Sequence, residues 1–411
     1  MEFDRIGNDS IVCGCTLRPT GTYLYRMMSS LGRVSVPRTA VSFHFFFCGL
    51  VFSTWAARIP DVKDHFRLND AQLGALLLML PLGSVSALPV AGWIIDRMGS
   101  RLVTTVSAAL YAVSLWSLAV APTLPSLTVL LFVFGFLGDM LNISMNTQGL
   151  SVQRMIGKPI LSGLHAMWSF GALTGVTLAG RALKAGMGTA SHFLSVSMPV
   201  AIVVLIISQA LVSDPTREGE GRRIFVRPDR ALLLIGLICF CNTLSEGAMA
   251  DWSSLYYRDA LGGRDGVSTA GYMSFTLAMT IGRLAGDGLI RRIGYRRMLM
   301  ANGLLIAAGM LLAVGWMQPM AVMAGFALVG LGVSSVIPIC YMIAGKSQTM
   351  APAAALAAVS AVGFTGFLIG PPIIGFVAHE VTLRSSLLLV ALMGLLVFGV
   401  SARSIGTEAG R

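Results

Sequence analysis

About twelve apolar runs, each near the twenty residues that carry an α-helix across a bilayer core, restrict this chain more than any other feature. They fall at 39–57, 71–93, 102–120, 126–148, 162–182, 191–212, 231–252, 269–289, 298–316, 320–343, 352–377 and 385–402. Backbone amides in hydrocarbon must bond within their own segment, so such runs fold as helices packed side by side. The expected fold is all-α and membrane-embedded, with twelve transmembrane helices. Charge excludes the soluble alternative. Only 12% of the 411 residues are charged, against about a quarter in a soluble domain, while 55% are hydrophobic and the mean hydropathy is +0.76. There is too little charge to clothe a water-facing surface.

The one charge-dense interior stretch, Asp214 to Arg223, divides the chain six plus six. The expected organisation is a cytoplasmic tail at 1–36, a six-helix bundle at 37–212, a cytoplasmic loop at 213–230, a second bundle at 231–403 and a cytoplasmic tail at 404–411. With the N-terminus inside, 22 of the 30 lysines and arginines fall on or near the cytoplasmic side and 8 outside. Cytoplasmic loops accumulate such residues. Both termini are therefore expected inside a multi-pass inner-membrane protein, and the net charge of +11 follows from topology and implies no nucleic-acid partner. Residues 1–36 lack a signal-peptide core, and Met27 and Met28 mark an alternative start. Cys48, Cys239, Cys241 and Cys340 lie inside apolar runs without a Cys/His cluster, so they read as packing residues and no metal or cofactor is expected.

The loop after the second run reads Gly92-Trp93-Ile94-Ile95-Asp96-Arg97-Met98-Gly99-Ser100-Arg101. After the eighth run come Gly282-Arg283-Leu284-Ala285-Gly286-Asp287 and then Arg291-Arg292-Ile293-Gly294-Tyr295-Arg296-Arg297. An offset of 195 residues lays Gly99 on Gly294, Arg97 on Arg292 and Arg101 on Arg296, so the halves are internal repeats. The second copy departs from the first in its acid, since Asp287 stands a helical turn further from the glycine than Asp96 does. This Gly-x-x-x-Asp-Arg-x-Gly-x-Arg loop, found twice with six-plus-six spacing, resembles the major facilitator superfamily over about residues 37–403. The stretches Trp55 to Asp61 and Glu246 to Trp252 resemble a bacterial inner-membrane branch of it. The resemblance implies two pseudo-symmetric six-helix bundles around a central cavity, rocking to give alternating access. It also implies a cytoplasmic latch formed by Gly92, Asp96, Arg97, Gly99, Arg101, Gly282, Asp287, Arg292, Gly294 and Arg296.

Ionisable groups inside a membrane are costly and mark functional sites. Asp139, Asn142 and Asn146 are spaced three and four apart and share one face of the fourth helix. That face reads either as a cavity wall that binds a polar solute or exchanges a proton, or as a hydrogen-bonded cluster gluing helices together. Glu246 and Asp251 lie two thirds of the way or more toward the outer side of the seventh segment, and Arg58 ends the first segment at similar depth. The resemblance implies that the first and seventh helices line the cavity. An outer gate pairing Arg58 with Glu246 or Asp251 is one reading, and a local pair of Arg58 with Asp61 is the other. Glu246, the deeper acid, is the stronger candidate for contact with cargo or proton. His165, one turn into the fifth helix, reads as a proton relay or as an interfacial residue. His44 has no assigned role.

Gly171/Gly175 and Gly366/Gly370 have the spacing of close helix contact, and Gly370-Pro371-Pro372 is expected to break the eleventh helix. No Gly-x-x-x-x-Gly-Lys-Ser/Thr loop and no His-Glu-x-x-His pair occurs, which argues against ATP-driven or metal chemistry. The expected protein is not an enzyme but a monomeric secondary transporter of a small polar solute, coupled to protons. The alternatives are proton-driven efflux of amphipathic compounds or metabolites, and a transport-inactive membrane sensor or scaffold.

Overall fold

The computed structural model describes residues 20–158, 160–213, 229–260, 268–348, 350 and 352–404. Among them the secondary structure is helical throughout. The first half comprises α1 (Thr20–Ala56), α2 (Ile59–Phe66), α3 (Asp70–Leu77), α4 (Met79–Met98), α5 (Ser100–Ala119), α6 (Leu124–Ile156), α7 (Leu161–Lys184) and α8 (Thr189–Ile207), the last closed by a 3-10 turn, Ser208–Ala210. The second half comprises α9 (Arg230–Ala260), α10 (Thr269–Ile293), α11 (Tyr295–Gly315), α12 (Pro319–Val333), α13 (Val336–Ala344), α14 (Pro352–Glu380), α15 (Leu383–Ser386) and α16 (Leu388–Ser404). Breaks at 57–58, 78, 334–335 and 387 divide columns that otherwise run on, so α1–α2, α3–α4, α12–α13 and α15–α16 each act as one rod. The helix of α1 reaches back to Thr20, inside the segment expected as a tail.

Ten of these rods are long and apolar enough to cross a bilayer by themselves. The other two columns are α7 and α10, which carry Ser169, Thr174, Thr177 and Arg181, and Thr276, Thr280 and Arg283. They pack against each other across the seam between the halves. A helix that meets a polar neighbour on one side needs less apolar surface than one ringed by lipid. The twelve columns alternate in direction. Residues 99, 157 and 294 and the end of α16 share one face, called here the basic face because Arg97, Arg101, Arg154, Arg291, Arg292, Arg296, Arg297 and Arg403 lie at or near it. The opposite face is called distal.

The internal repeat is expressed in the packing. The offset that aligns Gly99 with Gly294 also carries Gly171 to Gly366 and Gly175 to Gly370. Gly171 and Gly175 bring α7 against the carbonyls of Phe46 and Leu50 on α1, where a Cβ at Gly175 would stand 2.6 Å from the Leu50 oxygen. Gly366 brings α14 against the Phe240 carbonyl of α9, and Gly370 meets Leu244 there. At the basic face, Gly99 and Gly294 each end one helix and start the next with positive φ, 77° and 80°, a conformation that side-chain-bearing residues resist. Two other starts carry side-chain capping boxes: Asn69 and Gln72 form a reciprocal one at α3, and Thr123 with Ser126 another at α6.

One expectation fails. α14 runs unbroken through Pro371 and Pro372. Proline removes one amide donor, and inside a membrane bundle neighbouring helices and local adjustment compensate for the freed carbonyl. Here the backbone around these prolines is the seat for another helix. A Cβ on Gly74 of α3 would lie 2.8 Å from the Pro371 carbonyl oxygen, and one on Gly375 would lie 2.6 Å from that of Asp70.

Candidate functional site: a polar cluster on the seam between the halves

At the centre of the seam, α7, α9 and α10 bring together groups that lie far apart in sequence. Arg283 of α10 donates from Nη2 to Glu246 Oε1 of α9 at 3.2 Å and from Nη1 to Ser169 Oγ of α7 at 2.5 Å. The Trp168 ring lies 5.8 Å from its guanidinium carbon, within cation–π range. Thr280 Oγ1, one turn earlier on α10, reaches the Ser169 carbonyl at 3.5 Å. Ser169 is fully buried, whereas the side chains of Arg283 and Glu246 keep 21% and 17% of their surface. His165 stands one turn toward the basic face from Ser169, exposed, with its ring edge-on to Phe45.

Glu246 lies midway along α9 because that helix begins at Arg230 and continues to Ala260. The position expected for it, two thirds of the way or more to the outer side, is therefore corrected. Arg283 belongs with it. Its sequence position, counted with the loop arginines near the cytoplasmic side, is in fact ten residues short of the helix end at Ile293, about 15 Å inside.

A second polar group lies within the first half. On α6, Asn146 donates from Nδ2 to Asn142 Oδ1 at 3.0 Å, and Asn142 donates to Asp139 Oδ1 at 3.2 Å. The three share one face, as their spacing predicts. The bonds run along a single helix: among the described residues none of the three side chains bonds to a neighbouring helix, which speaks against a purely gluing role. Asp139 is 6% exposed, and its Oδ2 is buried without a partner. An orphaned carboxylate oxygen in a protein interior demands an explanation, because nearly all such groups are satisfied.

The distal face is closed by different residues from those expected. Arg58 is 2% exposed and donates to Asp61 Oδ2 at 3.0 Å, to the Met187 carbonyl at 2.8 Å and to His192 Nδ1 at 3.3 Å. It pairs with neither Glu246 nor Asp251. The turn after Ala56 lays its side chain against His192 of α8, and Asp61 stands one turn on in α2, so the local pair forms. Asp251 has no hydrogen-bond or salt-bridge partner among the described residues. The bridge between halves is made instead by Arg258 of α9 and Asp64 of α2, at 2.5 Å. Gly74 against Gly375, Thr177 against Met273 and Gly180 against Thr269 add contacts across the seam from the midplane to the distal face. Every hydrogen bond named between the halves, among the described residues, lies at midplane or distal depth.

On the basic face the expected latch does two different things. Arg101 of α5 donates to Ser213 Oγ at 3.0 Å and to the Gln209 carbonyl at 2.9 Å, after α8. Arg296, its counterpart on α11, donates to the Ala402 carbonyl of α16 at 2.5 Å. Both tie helices within one half. Asp96 is exposed without a partner among the described residues, Arg97 lies 4.2 Å over the Trp93 ring, Arg292 is exposed, and nothing crowds Gly92. The side chain of Asp287 lies outside the described residues. Gly282 is not a loop glycine. It sits inside α10 against the Ser334 side chain, where the column of α12 and α13 breaks. Gln148, which no sequence motif singles out, bonds the Ser100 hydroxyl and both backbone groups of Val212.

Twelve helical columns in two repeated halves, with an arginine–glutamate pair at the seam and an acid with two amides on one face of α6, define a polytopic carrier architecture. The comparisons agree. The family model described as Major Facilitator Superfamily matches residues 41–348. An uncharacterized MFS-type transporter of Yersinia pestis is 32% identical over 361 residues, covering 88% of this chain and 94% of the relative. The membrane protein MosC of Rhizobium meliloti is 34% identical over 363 residues, covering 87% and 88%. Among solved structures, the nucleoside transporter NupG superimposes with a TM-score of 0.69 at 15% identity, covering 89% of this chain and 98% of that one. A bacterial homologue of the human lysosomal transporter Spinster, inward-facing and unoccupied, gives 0.71 at 11% identity, covering 92% and 99%. The chain belongs to the major facilitator superfamily, and it is a transporter rather than an enzyme.

Proposed function

We propose that the protein is a secondary carrier of a small polar solute, driven by protons and working by alternating access in a bacterial inner membrane. In this reading the basic face is cytoplasmic, as its excess of arginine favours, and both chain ends lie on that side. The solute meets Glu246, Arg283 and His165 on the seam and the Asn142–Asn146 face of α6. Asp139 carries the proton. The observation that bears this reading is the buried Asp139 Oδ2, which has no partner although its helix supplies two amides nearby. A carboxylate left bare at this depth costs several kcal/mol, roughly 2.5–3.5 on insertion scales, and such sites serve proton relays in pumps and transporters. The seam contacts on the distal side support a cycle in which those contacts part while the basic face closes, with Asp96 and Arg97 then gaining partners.

The experiment is uptake into proteoliposomes. A thermal-shift screen of sugars, amino acids, nucleosides and organic anions on purified protein identifies the solute. Uptake driven by a pH gradient should follow in the native protein and be lost in Asp139→Asn, while solute counterflow without a gradient survives. Asp139→Asn that kept pH-driven uptake would remove Asp139 from coupling.

A further inference from the structure

We propose that the solute carries an anionic group, a carboxylate or a phosphate, and that Arg283 is the residue that holds it. The inference rests on the carrier reading and names the chemistry of its cargo.

Arg283 lies deep in the membrane, ten residues inside the end of α10, and its guanidinium is donor-only. The site therefore presents a cation to whatever enters it. The internal partner covers that charge thinly. A guanidinium offers five N–H donors and matches a carboxylate through two parallel bonds. Glu246 takes only one, from Nη2 to Oε1 at 3.2 Å, and the other terminal nitrogen is spent on the neutral Ser169 hydroxyl. Both charged side chains remain partly accessible, at 21% and 17%. The edge of the fork toward Nε is unused by any hydrogen bond among the described residues.

The other buried or seam-side cations lack this combination, although the buried Nε of Arg296 also has no partner. Arg58 is closed off with three partners, Arg258 holds Asp64 and lies against Asp259, and Arg101 and Arg296 are committed to the backbone of the last helix in their own half. Arg283 alone among these joins a single-point ion pair to partial exposure on the seam. An arriving carboxylate or phosphate can take the fork side-on and displace Oε1 of Glu246. The Trp168 face flanks the same position. Because Ser169 belongs to the first half and Glu246 to the second, Arg283 bonds to both halves. A ligand that takes over those bonds acts directly on the joint between them.

The test is thermal stabilisation of purified protein by matched pairs, each an anion beside its uncharged counterpart: gluconate with sorbitol, glucuronate with glucose, and glucose 6-phosphate with glucose. Four forms are compared: native, Glu246→Gln, Arg283→Lys and the double variant Arg283→Gln/Glu246→Gln. The double variant removes both charges together, so no carboxylate is stranded, and its melting temperature without ligand reports folding. At least one anion should stabilise the native protein while its neutral counterpart does not. Its apparent Kd should tighten about tenfold in Glu246→Gln, where the competing carboxylate is gone, weaken in Arg283→Lys, and lose saturation in the double variant. Equal stabilisation by the neutral members, an anion effect that persists in the double variant, or no effect of any anion on Glu246→Gln would each overturn the proposal. Uptake of a neutral solute would then leave the carrier reading standing. Anion stabilisation without uptake of any solute into proteoliposomes would instead remove the carrier reading and leave Arg283 as an anion site.

Discussion

Arg258 Nη1 and Asp64 Oδ2, 2.5 Å apart, form the single salt bridge that crosses between the two halves among the described residues. Asp64 is 61% exposed and Arg258 14%. A pair this wet contributes about 0–1 kcal/mol to overall stability, so its weight falls on the choice between conformations. Asp64→Asn or Arg258→Gln should lower the melting temperature only slightly. Each should raise the labelling rate of a cysteine placed at the distal end of α14, and the charge-swapped pair Asp64→Arg/Arg258→Asp should bring that rate back. High salt should mimic the single variants.

Gly375→Leu should act on the same closure through shape. Any side chain there meets the Asp70 carbonyl and Gly74, so α3 and α14 have to separate. The expected result is a protein that folds, is accessible from the distal face and transports poorly. Gly171→Leu makes a tighter collision inside one half, between α7 and the Phe46 carbonyl, and should instead lower yield and melting temperature. Reagent access from each side, measured beside thermal unfolding, separates the two outcomes.

Arg101→Ala and Arg296→Ala should cost similar amounts, because each removes the tie from the third helix of a half to the end of its sixth. Hydrogen bonds from a charged donor are worth about 1.5–3 kcal/mol, less where water reaches them. The sites share no partner, so the double variant should show the sum of the single losses in reversible unfolding.

Gln148→Leu should be more damaging than its conservative volume suggests. The amide bonds Ser100 Oγ at 2.7 Å, the Val212 carbonyl at 2.8 Å and the Val212 amide at 2.9 Å, joining α5, α6 and the segment after α8. Leucine strands those groups at about 1–3 kcal/mol for each one left buried. Gln148→Glu, which keeps the acceptor for the Val212 amide and loses both donors, should fall between native and leucine in melting temperature.

The helices, their number and the repeat were legible because hydropathy and a Gly-Arg register are local properties. Gly99 and Gly294 declare themselves by spacing, and the structure gives them matching backbone angles. The face shared by Asp139, Asn142 and Asn146 was legible for the same reason, since one helix carries it. What could not be read was pairing between helices. Arg283 and Glu246 lie 37 residues apart on separate helices, and nothing local ties them. The missed signal was depth: an arginine ten residues inside the helix end cannot be a loop residue. For Arg58 the local pair with Asp61, one of the two readings, is the one that forms, while its further partners, the Met187 carbonyl before α8 and the His192 imidazole on it, carry no charge pattern that marks them in the sequence. Gly282 falls outside the latch, since the 195-residue offset sets Gly92 against Asp287 rather than against a glycine.

The low apolarity of α7 and α10 bears on how the chain is made. A helix carrying Arg283, or the hydroxyls and arginine of α7, gains little by leaving the translocon for lipid alone. α7 emerges with its partner α1 already in place, but the helix that covers its polar side is not synthesised until α10, after α8, the central loop and α9. Biogenesis thus passes through a stage in which a completed first half exposes an unshielded strip to the bilayer.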